Sequence, residues 1–148
     1  MESVKLSAFV DVCLRTLMLL GSQRDQQVTT REIAEQIGVP YNHVAKAVLE
    51  LRNRRALEVT RGRYGGSQIT EHGLQLSVGG LMRDLDDRDD VVDCVSEAGV
   101  PCPLLAHCKL RSALRRAREA FYAELDSLLV ADLTATSAKA LLPFPLVH

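Results

Sequence analysis

Apolar side chains fall at Leu6, Phe9, Val10, Cys13, Leu14, Leu17 and Met18, the i, i+3, i+4, i+7 spacing of an amphipathic helix. The helix so predicted ends near Gly21. Cys13 lies on its stripe as a small buried hydrophobe. Asp11 and Arg15 lie one turn apart off it, where an exposed pair adds roughly 0.2–0.5 kcal/mol. Gly21–Val28 is a polar linker. Thr29-Thr30-Arg31-Glu32 has the spacing of a capping box, and a short helix with Ile33, Ala34 and Ile37 inside closes at Gly38. Val39-Pro40 opens the next helix, from about Tyr41 to Arg55. Its buried stripe is Val44, Ala47, Val48 and Leu51. Tyr41, Asn42, His43 and Lys46 sit toward its N-terminal end, mostly off that stripe.

Two short helices joined by a Gly turn read as a helix-turn-helix or as a plain helical hairpin. Residues 56–70 favour the first. Ala56–Thr60 reads as a strand, Arg61-Gly62-Arg63-Tyr64-Gly65-Gly66 as a turn, and Ser67–Thr70 as the returning strand. Five arginines and one acid lie between Arg52 and Arg63. A hairpin beside the second helix of such a motif is a wing, whose arginines reach phosphates or a narrow minor groove. A solvated rim is the plainer use of the same charges. Thr70 then caps a predicted helix carrying Leu74, Val78, Leu81 and Leu85. Asp84, Asp86, Asp87, Asp89, Asp90 and Asp93 form an acidic run that keeps the next segment solvated.

Beyond Cys108, residues Leu110, Leu114, Ala117, Phe121, Leu125, Leu128 and Leu129 repeat at about 3.6, with Arg111, Arg115, Arg116 and Arg118 on other faces. A helix this long, outside a small domain, needs a cover for its stripe. A second copy of the chain is the simplest cover; packing within one chain is the alternative. The tail, Leu141–His148, is apolar and broken by prolines, and is assigned no role. There is no internal repeat.

Composition narrows the class. At 148 residues the chain is one domain, or one with an appended arm. Trp is absent and aromatics are 4%, so the core is mostly aliphatic. Net charge is −1 and alone points to no polyanion. The halves differ, however: residues 1–78 carry 10 basic and 8 acidic side chains, and the remainder 8 and 11. A DNA-binding face, if present, lies in the first half. Leu6–Leu20 has no basic leader or cleavage site and is too short and too charged to span a bilayer. The expectation is a cytoplasmic protein whose thiols stay reduced. His43, His72, His107 and His148 are scattered, with no triad or metalloprotease spacing, so an enzyme is not expected.

Three of the four cysteines fall between Cys94 and Cys108. Gly99, Pro101 and Pro103 make the middle a loop. A cytosolic thiol cluster is more often a metal or redox site than a disulfide framework. Structural zinc sites usually hold two ligands two to four residues apart. Here seven residues separate Cys94 from Cys102, and five separate Cys102 from Cys108. Those gaps suit a loop wrapped round a larger object, and an iron–sulfur cluster is one that thiolates hold. A cluster wants four ligands, so one is missing from the loop. His107 is one candidate. Zinc held by the three cysteines and a His is the structural alternative.

The order helix, helix-turn-helix, Gly-rich wing, three-cysteine loop, long helix resembles the Rrf-two family of iron–sulfur winged-helix regulators over nearly the whole chain. The residues that carry it are Phe9-Val10-Asp11-Val12-Cys13-Leu14-Arg15, Thr30-Arg31-Glu32-Ile33-Ala34, Val39-Pro40-Tyr41, Arg61-Gly62-Arg63 with Gly65-Gly66, Val91-Val92-Asp93-Cys94, Pro101-Cys102-Pro103-Leu104 and Ala120-Phe121-Tyr122. Within the family it looks most like the nitric-oxide-sensing members. In those, an acidic residue on the first helix of the partner subunit is the fourth cluster ligand, and Asp11 matches that position. Family members that regulate cluster biogenesis place a His three residues after the third Cys, where this chain has Arg111. A redox-sensing relative uses a Glu and a His one turn apart; Asp11 and Arg15 stand there, and Arg cannot be a ligand. The first cysteine gap is longer than in the nitric-oxide sensors, and Tyr64 stands in a usually Gly-rich wing.

The resemblance implies a mainly α fold with a small β-hairpin wing. A winged helix-turn-helix occupies 1–80, a cluster-binding loop 81–109, a dimerisation helix 110–135 and a tail 136–148. It implies a homodimeric repressor on a pseudo-palindromic double-stranded operator, releasing DNA when nitric oxide nitrosylates a [4Fe–4S] cluster, with [2Fe–2S] as the alternative. A redox- or cluster-status-sensing relative and a zinc-stabilised DNA-binding protein are the other readings. The expected metal ligands are Cys94, Cys102, Cys108 and Asp11 of the partner subunit. Tyr41, Asn42, His43 and Lys46 are expected in the major groove and Arg61 and Arg63 on backbone or minor groove. Thr30, Arg31 and Tyr64 complete the expected DNA face.

Overall fold

A computed structural model describes residues 6–88, 92 and 94–134. Asp89, Asp90 and Asp93 of the acidic run, and the tail 136–148, lie outside the described residues. Helix α1, Ala8–Ser22, starts where the Ser7 hydroxyl accepts from the Val10 amide at 3.2 Å. Its buried face is Val10, Val12, Cys13, Thr16, Leu17, Leu20 and Gly21. That arc is rotated from the expected stripe, and Leu6 and Met18 are exposed. The cause is packing from two sides. Helix α3 (Tyr41–Asn53) covers one flank, and α7 (Val130–Thr134) covers the other. The Thr134 side chain packs on Gly21, where a Cβ would collide with it. Thr16 is buried with its hydroxyl bonded to the Val12 carbonyl at 2.8 Å.

Helix α2, Thr30–Ile37, opens with the expected capping box: the Thr29 hydroxyl accepts from the Glu32 amide, and the Glu32 carboxylate accepts from the Thr29 amide at 2.7 Å. Gly38, at φ +69°, ends it in the left-handed conformation that a non-Gly residue resists. Val44, Ala47, Val48 and Leu51 of α3 are all buried, against α1 and α2. Strands β1 (Leu57–Thr60) and β2 (Gly66–Ile69) pair antiparallel, with Leu57 opposite Ile69 and Thr60 opposite Gly66. Val28, just ahead of α2, joins them as a third line of pairing: it exchanges both backbone bonds with Ser67, at 3.0 and 2.8 Å.

The structure corrects two helical expectations at one place. The helix expected after Thr70 is two: α4, Glu71–Leu74, and α5, Val78–Leu85. The long helix expected to run on through Leu129 stops early: α6 is Lys109–Glu124, and α7 comes after a turn. The two breaks face each other. Val78 N–H bonds to the Leu128 carbonyl at 2.8 Å, Gly79 N–H to Leu125 at 3.0 Å, and Val130 N–H to Leu76 at 3.0 Å. The Ser77 hydroxyl caps α5 through the Gly80 amide and donates to the Asp126 carbonyl. Groups that continued helices would have spent on themselves are spent between the two chain segments.

The core is a single cluster of aliphatic side chains with Cys13, Leu17, Leu20, Ile33, Val44 and Leu51 at its centre. Helix α6 joins it through Tyr122. Of its 16 residues only Tyr122 is buried, while Leu110 and Phe121 are 60% and 51% exposed. Packing within one chain thus leaves the outer stripe of α6 open. No helix among the described residues is long and apolar enough to cross a membrane.

Candidate functional site

The turn at Gly38 sets α2 and α3 as a helix-turn-helix, and the N-terminal end of α3 projects from it. Tyr41, Asn42 and His43 are exposed, with Tyr41 at 54%, and Lys46 beside them is exposed too. Arg31 is exposed in the first turn of α2, beside the half-buried Thr30. Arg61 and Arg63 are exposed at the hairpin tip. The Arg63 guanidinium lies over the Tyr64 ring at 5.7 Å, and Tyr64 is 84% exposed. Its ring limits where that cation points. Exposed cations therefore stand on α2, on α3 and on the wing.

The cysteine loop is folded on itself. The Cys102 amide donates to the Cys94 carbonyl at 2.8 Å, and Val95 bridges to Pro101. Gly99, at φ +77°, makes the turn between them. A backbone ladder thus brings Cys94 and Cys102 side by side despite the seven residues between them. A 3₁₀ turn, Leu105–His107, then leads to Cys108. Cys108 is the N-cap of α6: its Sγ accepts from the Arg111 amide at 3.3 Å. None of the three loop thiols is in a disulfide, and all are half-buried. Among the described residues, no three His, Cys, Asp or Glu side chains gather closely enough to hold a single metal ion, Asp11 included. Three half-buried thiols on one loop are the donor chemistry that holds iron–sulfur clusters.

The two other candidates on α1 differ sharply. Asp11 is half-buried and pairs with Arg15 of its own helix, Oδ2 to Nη2 at 3.1 Å. Cys13 is wholly buried, and its thiol is pushed up to about 12, first by burial and then by the Glu50 carboxylate. A thiol so held is no thiolate at neutral pH and no ready metal ligand.

A polar node that carries no sequence signal anchors the loop's entry. Asp86, at the end of α5, has a 4% exposed carboxylate that accepts from the Tyr122 hydroxyl and from Arg88 at 2.8 Å. The Arg88 carbonyl accepts from Arg118 of α6 at 2.7 Å. The Arg88 guanidinium, more than any other group, holds the Asp86 carboxyl well below the usual range, and the Tyr122 hydroxyl helps against the opposing push of burial. Arg83 lies over the Tyr122 ring at 5.5 Å and pairs with Glu119 and Asp126. Asp86 and Tyr122 are 36 residues apart, and no local pattern marks them. Arg54, the C-cap of α3, reaches Asp84 of α5 at 3.5 Å, so the end of α5 touches both the helix-turn-helix and the loop entry.

A family profile described as Rrf2, iron-dependent transcriptional regulator, matches residues 6–136. The chain is 49% identical over 134 residues to the HTH-type transcriptional repressor NsrR of Streptomyces coelicolor, covering 89% of each. It is 31% identical over 131 residues to the HTH-type transcriptional regulator NsrR of Geobacillus kaustophilus, covering 88% of this chain and 89% of that one. Among solved structures, the global cysteine regulator CymR of B. subtilis superposes with a TM-score of 0.64 at 21% identity, over 89% of this chain and 97% of the other. T. potens IscR does so at 0.65 and 19%, over 88% and 86%. At those identities the two structures attest the fold.

Proposed function

Because the chain belongs to the Rrf2 family of iron-dependent transcriptional regulators, we propose that it is a homodimeric, cytoplasmic repressor whose cluster reports nitric oxide. That it is a DNA-binding regulator of transcription and not an enzyme follows from the family. The nitric-oxide signal, the dimer and the ligand set are our reading. The observation that carries it is the loop: three half-buried thiols outside any disulfide, two of them aligned by the backbone and the third opening α6. Cys94, Cys102 and Cys108 would hold the cluster, with Asp11 of the partner subunit as fourth ligand. When bound, a [4Fe–4S] cluster, or [2Fe–2S] in the alternative, supplies iron that nitric oxide can attack, most readily where a hard carboxylate stands among soft thiolates.

This chain's residues translate that event. With the cluster in place, the 94–108 loop of one subunit holds α1 of the other through Asp11. Helix α1 packs on α3 along its buried face, so where α1 is held, α3 is held. Two such α3 helices must meet half-sites about 34–36 Å apart on a pseudo-palindromic operator. Tyr41, Asn42, His43 and Lys46 would read bases, and Thr30, Arg31, Arg61, Arg63 and Tyr64 would fix register on the backbone. Losing the loop's hold on α1 frees the spacing, and DNA is released. The open stripe of α6, from Leu110 to Phe121, would be covered by the second subunit.

The deciding experiment is an anaerobic titration with nitric oxide of the cluster-loaded dimer, bound to a duplex that the protein itself has selected from a random-sequence pool. Visible absorbance and DNA occupancy are measured together. The expected result is that both fall in step. DNA that stays bound after the cluster spectrum has collapsed would overturn the switch. A cluster indifferent to nitric oxide but responsive to oxidants would make the redox-sensing relative the better description.

A further inference from the structure

We propose that Gln68 and Gly66 are positioning residues for DNA binding, strapping the wing to the segment that enters the helix-turn-helix so that Arg61 and Arg63 meet DNA in a fixed relation to α3. The proposal rests on the DNA face assigned under the proposed function. Its starting point is that the wing ought to sway. Each strand is four residues long, and a lone two-stranded hairpin is marginal in water. Along β1 only Leu57 is buried; Glu58, Val59 and Thr60 are exposed. Burial of β1 side chains thus stops at Leu57, short of the tip.

Strand β2 carries the restraint, and does so on both faces. Alternate side chains of a strand point to opposite faces. Ser67 and Ile69 point into the core, at 1% and 7% exposure. Gln68 points the other way, and its Nε2 donates to the Arg24 carbonyl at 2.6 Å while its Oε1 accepts from Gln27 at 3.1 Å. Between these side-chain ties run the two Val28–Ser67 backbone bonds. The approach is close enough that only glycine fits at residue 66. A Cβ there would stand 2.8 Å from the Val28 backbone, nearer than real Cβ atoms come, and φ is +156°. The segment from Arg24 to Val28 is thus stitched to β2 by backbone and by amide. It leads directly into the Thr29 cap of α2.

A cation held in place meets a phosphate without first losing its freedom, and that ordering cost otherwise comes out of the affinity. Loosening the strap should therefore act only through the arginines it places, which a double-mutant cycle can detect. The probe is a duplex selected by the wild-type protein from a random-sequence pool, bound by the full-length, cluster-loaded protein. Gln68→Ala, which removes two bonds at the surface, and Gly66→Ala, which forces β2 off Val28, are each expected to weaken binding about tenfold. The slope of log affinity against log salt is expected to flatten by about one unit. The visible spectrum and melting temperature of Gln68→Ala stay at wild-type values.

In an Arg61→Ala/Arg63→Ala background, Gln68→Ala is expected to cost nothing further. An equal loss in both backgrounds, or no loss in either, would overturn the strap. If Arg61→Ala/Arg63→Ala itself leaves affinity and slope unchanged, the wing assignment fails and takes the strap with it. Should Gly66→Ala not fold, the Gln68→Ala cycle decides alone.

Discussion

The four thiols divide by environment. Cys13 sits at the centre of the core with its pKa raised to about 12, and the loop thiols are half-buried. In the cluster-free protein at mildly alkaline pH, iodoacetamide is expected to label Cys94, Cys102 and Cys108 rapidly and Cys13 only on unfolding, as peptide mass spectrometry can show. Each loop Cys→Ala change is expected to abolish the visible chromophore, and Cys13→Ala to retain it. Because the fold favours the neutral Cys13 thiol, its contribution is complete below the ordinary thiol pKa and fades as pH rises toward 12. The sequence already separated these residues, since Cys13 lay on an apolar stripe and the others in a loop broken by Gly99, Pro101 and Pro103. It could not reveal Asp86, whose partners are a neighbour two residues on and a tyrosine on another helix. Tyr122→Phe removes one bond to a buried carboxylate and is expected to cost about 1–2 kcal/mol in urea melts. The Asp86 pKa is lowered in the fold. The loss is therefore full above the ordinary carboxylate range, near about 4, and shrinks as pH falls through the folded value. A Tyr122→Phe penalty that does not diminish in acid would mean that the hydroxyl acts through something other than Asp86.

Helices and strands were readable where a local signal was complete. The Thr29–Glu32 box, Gly38 and the α3 stripe each contain their own start, stop or face, and each lies where the pattern put it. Gly38→Ala tests one such signal cleanly. No atom stands within 4 Å of its would-be Cβ, so only the left-handed backbone opposes the change. A loss of about 1 kcal/mol is expected, measured by denaturant midpoint, and a much larger loss would point to a contact that the geometry does not contain. The breaks at Leu76 and Leu125 were unreadable for the opposite reason. Leu74, Val78, Leu81 and Leu85 keep helical spacing straight across the first break, and all four are buried as expected. What interrupts the helix is a set of backbone bonds to a segment about fifty residues away, which apolar periodicity does not encode.

For the molecule as a whole, the expectation of a second copy arose from α6 being too long and too apolar to stand alone. The folded chain leaves Leu110 and Phe121 more than half exposed on that helix. If that stripe is the subunit contact, Phe121→Asp is expected to yield monomers by sedimentation velocity at concentrations where the wild type is dimeric. Tyr122, facing the other way onto α5, keeps the chain folded, and an unchanged far-ultraviolet dichroism spectrum is the check. A Phe121→Asp protein that remains dimeric would move the contact off α6.

Asp11 and the three loop thiols are not gathered within one chain. Divided between two subunits as proposed, they tie two equilibria together, and linkage is reciprocal: iron strengthens association by the factor by which association strengthens iron retention. Survival of the sensor then becomes a question of mass action. Diluting the loaded protein is expected to hasten bleaching even without nitric oxide, and a duplex that pins two subunits side by side is expected to slow it. Asp11→Ala is expected to remove both dependences, leaving a bleaching rate indifferent to concentration. A cell making few copies would thus hold its sensor most securely while it sits on DNA, and the unbound pool would be the first to fade.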